Sequence, residues 1–219
     1  VSKNVRDDII YYTGAETGNI KSVYSPEHAF YLLFYPSSSI VYCFDMRGAL
    51  EDGSNRVTTW PSTKVFCGNI GADGTVYLGT AKGINQYNNY LDDTSPYTMK
   101  YYTQPLAFGD PSRLKILKEL SFKVIGGQGS NLVLNWGYDY TEAYTKQALT
   151  ISNSNIAEYG IAEYNTSEAE YSASIIVEDA KVKSTGSGAV ATIGVDAIIN
   201  GRSLSIQELK TEALIGKLV

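Results

Sequence analysis

The chain has 219 residues, of which 43% are apolar and 19% charged, and it carries a formal net charge of −5. That length fits one large or two modest domains, and the acidic balance argues against a surface that grips DNA by neutralising phosphates with clustered Lys and Arg. No run of about 18 apolar residues occurs, so no membrane-spanning helix is expected, and the opening VSKNVRDDII lacks the long apolar segment of a signal peptide.

Tyrosine is the distinctive residue, with 18 copies against 6 Phe and 2 Trp. Its ring buries apolar area while its hydroxyl meets water or a partner, which suits half-buried strands and contacts between subunits. Apolar residues recur in short alternating or continuous runs bounded by Gly, Asn, Asp, Ser and Pro, the pattern of strands. In chain order, strands are expected over 19–24, 29–35, 40–46, 57–60, 64–67, 75–80 and 83–87. Further strands are expected over 97–102, 115–125, 132–140, 173–183, 190–200 and 204–214.

Within the first half, FYLLFYPSSSIVYCFDM (30–46) and TVYLGTAKGINQYNNYL (75–91) share one layout of strand, polar turn and second strand. Their offset of about 45 residues is the size of one four-stranded propeller blade. Similar hairpins also arise in other antiparallel proteins, so a small sandwich stays open for this region. About two blades fall short of the roughly four that close a propeller. The expectation is therefore a longer polypeptide of which this chain is the C-terminal part, with completion of the ring by other chains as the alternative.

Gly109, Asp110 and Pro111 form a strong break. The expected domains are propeller-type hairpins over 1–107 and an antiparallel β-sandwich over 108–219. PSRLKILKEL places Leu114, Leu117 and Leu120 at helical spacing behind a proline, yet it leads directly into SFKVI and is read as the start of a long strand. Gly126, Gly127 and Gly129 are expected to turn a hairpin between LSFKVI and NLVLNW. Asn200 and Gly201 are the pair of a type I′ hairpin turn between VDAIIN and RSLSIQEL. Alternation then faces Ile193, Val195, Ala197 and Ile199 inward on one strand, with Leu204, Ile206 and, given a bulge, Leu209 opposite.

Chemical signatures are scarce. The single histidine, His28, sits in the turn sequence SPEHAF and reads as a solvated turn residue. No GxSxG, GxxxxGK[ST] or HExxH occurs, and one His with two Cys cannot build a Cys/His zinc site without recruiting carboxylates. Cys43 and Cys67 lie in apolar runs and read as free, buried thiols, consistent with assembly in a reducing cytoplasm. A glycosidase needs only two carboxylates. Glu158, Glu163 and Glu170, with Asp139 and Glu142, are the candidates, although strands or loops with one wet face explain them more simply. Asp52, Asp92 and Asp93 could offer oxygen ligands but do not fit a calcium loop, and turn chemistry accounts for them. Trp60, Trp136, Tyr87, Tyr90, Tyr97, Tyr101 and Tyr102 could stack on sugars, with core packing or subunit contact as the plainer reading. No residue is assigned to catalysis, a cofactor or a metal.

Several stretches together resemble one family. FGDPSRLKILKEL (108–120), GGQGSNLVLNWGYDY (126–140), the acidic repeat AEYGIAEYNTSEAEY (157–171) and INGRSLSIQEL (199–209) are similar to the terminal region of tail nozzle proteins of short-tailed bacteriophages. The likeness covers about half the chain, from Phe108 onward. It implies an all-β virion protein without catalysis, placed at the distal end of the tail and assembled in the host bacterial cytoplasm. It further implies copies in a ring, expected to be six, that extend the DNA channel and hold adaptor, fibre or plug proteins while DNA passes without specific binding. The alternative from the residues alone is a carbohydrate- or receptor-binding module of a tail fibre or cell-surface protein.

Overall fold

The computed structural model of the protein describes residues 5–16, 18–50, 52–88, 90–127, 130–151 and 177–218. These residues are almost entirely β, with one short helix and several antiparallel sheets. In order, the elements are α1 (Arg6–Ala15), β1 (Lys21–Ser25), β2 (Phe30–Tyr35), β3 (Ile40–Ala49), β4 (Asn55–Pro61), β5 (Val65–Ile70), β6 (Val76–Thr80) and β7 (Gly83–Gln86). They continue with β8 (Tyr97–Tyr102), β9 (Arg113–Gly126), β10 (Asn131–Tyr138), β11 (Thr145–Thr150), β12 (Val177–Lys183), β13 (Ala191–Ile199) and β14 (Leu204–Leu218). Among the described residues, no helix is long and apolar enough to cross a membrane.

Two compact units divide between Asn88 and Asn89. In the first, every strand pairs antiparallel with its neighbour in sequence, giving the sheets β1-β2-β3-β4 and β5-β6-β7. The alternation in FYLLFY explains how the larger sheet is covered on both sides. Phe30, Leu32 and Phe34 face one way and pack with Val65, Val76 and Leu78 of the smaller sheet. Tyr31, Leu33 and Tyr35 face the other way, toward α1.

That helix was not expected from the sequence. Asp7 and Asp8 occupy its first turn, where the helix dipole favours them. Val5, Ile9 and Tyr12, spaced as one helical stripe, lie on buried Tyr35, Tyr42 and Phe44. Burial in this layer, followed by the nearby Asp8 charge, pushes the Tyr42 hydroxyl up to about 12. The Glu16 carboxylate accepts the Ser38 N–H at 2.9 Å and ties the helix end to the β2–β3 turn.

The second unit is built differently. Its sheets run β11-β10-β13-β8 and β12-β9-β14, and both supply one core. Leu117, Leu120 and Phe122 of β9 meet Leu134 and Trp136 of β10 and Ile193, Val195 and Ala197 of β13. The inward row Ile193, Val195, Ala197 and Ile199 is buried as the alternation requires. A register shift between Ile206 and Glu208 supplies the expected bulge, and Leu204, Ile206 and Leu209 pack against the core.

The structure differs from the expectations in further places. The second unit starts near Asn89 and not at 108, because β8 pairs with β13 along Tyr97↔Ile199 to Tyr102↔Gly194. The two glycine turns are corners, not hairpins: β9 and β10 lie in different sheets, as do β13 and β14. Gly126 and Gly127 do adopt positive φ, at 79° and 67°, and Gly201 at 69°, but Asn200 does not, so a type I′ turn does not form there. The strand β11 was also missed, since TKQALT lacks alternation. The segment PSRLKILKEL does enter a long strand, and residues 173–176 of an expected strand lie outside the described residues.

One charged residue is enclosed in this unit. Lys115 of β9 is fully buried, exchanges backbone hydrogen bonds with Gly188 and donates its Nζ to the Asp110 carbonyl. The break at Gly109–Pro111 is thereby pinned to the strand that follows it.

Candidate functional site

The single histidine is an exposed turn residue, as its sequence context implies. Its backbone N–H donates to Ser25 Oγ at 3.3 Å, while its ring lies parallel to Phe30 at 5.6 Å and edge-on to Tyr87 at 5.7 Å. The ring therefore belongs to an aromatic group. Both cysteines are free. Cys43 is half-buried and burial pushes its thiol pKa up, the wrong direction for a nucleophile. Cys67 is exposed and not buried as expected, because the register shift between Val65 and Cys67 turns it outward.

The carboxylates serve turns. Asp52 accepts from Ser54 N–H at 2.9 Å and Ser54 Oγ at 2.6 Å. Asp139, at φ 53°, accepts from the N–H groups of Ala189 at 2.7 Å and Val190 at 3.3 Å. Asp92 closes a backbone turn with Ser95, in which Asp93 and Thr94 take positive φ. Glu142 is exposed, and Glu158, Glu163 and Glu170 lie outside the described residues. Among the described residues, no three of His, Cys, Asp and Glu converge to hold a metal ion. One tight ion pair stands out: Arg47 grips Asp45 with two bonds of 2.9 Å and holds its carboxyl down to about 2.

The sugar-stacking candidates separate into three settings. Trp136 is buried and donates Nε1–H to the Thr185 carbonyl at 2.9 Å, so it is a core residue. Trp60 and Tyr87 belong to the first unit and stack in parallel at 5.9 Å, extending the His28 and Phe30 group. Tyr90, Tyr97, Tyr101 and Tyr102 are exposed in the second unit, the last three on β8. The first unit also carries a groove of about 310 Å³ lined by Asn19, Lys21, Pro36, Ser37, Lys64 and Phe66, with Lys64 Nζ 5.3 Å from the Phe66 ring centre.

Tyr102 lies on the outer side of its sheet. Its hydroxyl donates to Asp196 Oδ1 at 3.1 Å, and its ring meets Tyr144 at 5.2 Å. Burial, followed by the Asp196 bond, raises its pKa. This geometry depends on a missing side chain, since a Cβ on Gly194 would run into the Tyr102 ring. Gly137 lies similarly beneath Tyr144, where a Cβ would come within 3.0 Å of the ring. Tyr144 and Asp196 were not singled out from the sequence; glycines inside two apolar strands were the available signal, because they mark a close approach.

No protein-family model matches the chain, and no curated protein matches it either.

Proposed function

We propose that the chain is a structural, non-enzymatic component of the tail nozzle of a short-tailed bacteriophage, arranged in a ring that continues the DNA channel and anchors other tail proteins. The observation that carries this reading is the order of architectures along the chain. A four-stranded meander is followed by a three-stranded one that shares its core, the connectivity of propeller blades. After them comes a second β unit containing the nozzle-like segments FGDPSRLKILKEL and INGRSLSIQEL. The net charge of −5 suits a wall to which DNA does not adhere. Function then resides in contacts between chains, for which exposed tyrosines are well suited.

Native mass spectrometry of the protein from its natural source tests the reading. A closed ring, expected to hold six copies, supports it; a lone subunit of 23.9 kDa overturns it. A second reading, a carbohydrate-binding module, is favoured by the Trp60–Tyr87 stack and the groove beside Lys21, Lys64 and Phe66. It requires a glycan-dependent rise in melting temperature that Trp60→Ala or Lys64→Ala abolishes.

A further inference from the structure

We propose that the groove between the starts of β1 and β5 binds an acidic sugar, a saccharide unit whose carboxylate or phosphate ester is held by Lys21 and Lys64. The sugar part rests on the carbohydrate-binding reading given second above, and none of it depends on the ring.

Two strands of the first unit set the groove. A Cβ on Gly68 would lie 2.9 Å from Val23 Cγ1 and 3.0 Å from the Phe34 ring, so the bare backbone there lets β1 and β5 approach closely. Lys21 and Phe66 each stand two residues before that contact. Asn19, Lys64 and the turn residues Pro36 and Ser37 complete the walls around about 310 Å³.

The charge of the lining has one sign. Lys21 and Lys64 are its ionic side chains, and no carboxylate borders it among the described residues. Among those residues, neither lysine lies within ion-pair distance of an acid. In a chain with 23 acidic and 18 basic side chains, this is a local reversal of sign. Two ammonium groups on one hollow repel each other, and an anion placed there relieves that repulsion. One of the two is also positioned in advance, because Lys64 Nζ rests 5.3 Å from the centre of the Phe66 ring.

The remaining lining selects what carries the anion. The Asn19 amide and the Ser37 hydroxyl each donate and accept hydrogen bonds, which matches sugar hydroxyls. Phe66 is 43% exposed and adds ring surface for an apolar sugar face. The volume lies at the lower end of small-molecule sites and accommodates about one or two sugar units. Nucleic acid fits less well, since two lysines neutralise few phosphates on a chain of net charge −5.

Saturation-transfer NMR titrations of the whole chain test the proposal with five probes: trigalacturonate, glucose 6-phosphate, the methyl ester of trigalacturonate, inorganic phosphate and hexaglutamate. At least one of the two acidic sugars should bind with a dissociation constant on the order of 1 mM, and the tighter one identifies the acid group. The methyl ester, which keeps the sugar and loses the charge, should bind at least about tenfold more weakly. Lys21→Ala and Lys64→Ala should each weaken the acidic sugar at least about fivefold, and Lys64→Arg should retain it. Both lysines are exposed, so the variants should keep the wild-type circular dichroism spectrum. No binding of either acidic sugar at about 20 mM overturns the proposal. So does a methyl ester, phosphate or hexaglutamate that binds as tightly as the acidic sugars, or binding that ignores both lysine substitutions. A neutral glycan bound through Trp60 without an acidic preference overturns this inference and leaves the carbohydrate reading standing. A closed ring that binds no acidic sugar overturns it and leaves the nozzle reading standing.

Discussion

In the first unit each strand finds its partner next along the chain; in the second, β9 pairs with β12 and β14, and β13 pairs with β10 and β8. Both are made of the same material, alternating apolar strands and glycine-containing turns. What separates them is the turn. Pro36–Ser39 joins strands of one sheet, whereas the turns at Gly126–Gly127 and Asn200–Gly201 carry the chain from one sheet to the other. Closing such distant pairs costs more loop entropy before any contact forms, so the second unit depends more heavily on its large buried side chains.

Truncating the largest of these tests that dependence most severely. Trp136→Ala should destabilise the protein by about 3–5 kcal/mol, read as a lower denaturant midpoint and as faster amide exchange in β9, β10 and β13. A loss below 1 kcal/mol would mean that the shared core is not what holds the two sheets. Gly194→Val probes the outer side of the same sheet. It drives a side chain into the Tyr102 ring and should cost about 1–3 kcal/mol, with loss of the Tyr102–Asp196 bond visible as a fall in the Tyr102 pKa on spectrophotometric titration.

The first unit offers a smaller, pH-dependent counterpart. Because Arg47 lowers the folded pKa of Asp45 from 3.8 to about 2, the pair stabilises fully above pH 3.8, and its contribution is lost as pH falls toward 2. Arg47 is largely exposed, so solvent screening should keep the effect small. Asp45→Asn should remove that small contribution at neutral pH, leave stability near pH 2 unchanged, and so flatten the acid limb of the stability curve in that window. An unaltered acid limb would remove the pair from the account.

The strands were legible because period-two patterning survives in nearly all of them, from FYLLFY to ATIGVDAII. Partner choice was not, since alternation fixes which face is buried but not which distant strand lies alongside. The echo between 30–46 and 75–91 illustrates this limit. Continued by about 45 residues, it places a fourth strand near residue 100, and a strand does form there, but β8 joins β13 in the other unit. The helix escaped notice because Val5, Ile9 and Tyr12 form a short stripe among charged residues. At the candidate surfaces, composition identified the tyrosines, but only the fold separates Trp136 in the core from Trp60 beside Tyr87. The Tyr102–Asp196 bond spans 94 residues and has no local signature.

The enclosed Lys115 turns the second unit into its own clock. Reagents that acylate primary amines attack exposed lysines at once, but they reach this Nζ only after the Asp110 turn has lifted away from β9. Under native conditions, the rate at which the peptide containing Lys115 gains an acyl group therefore measures how often this part of the protein opens.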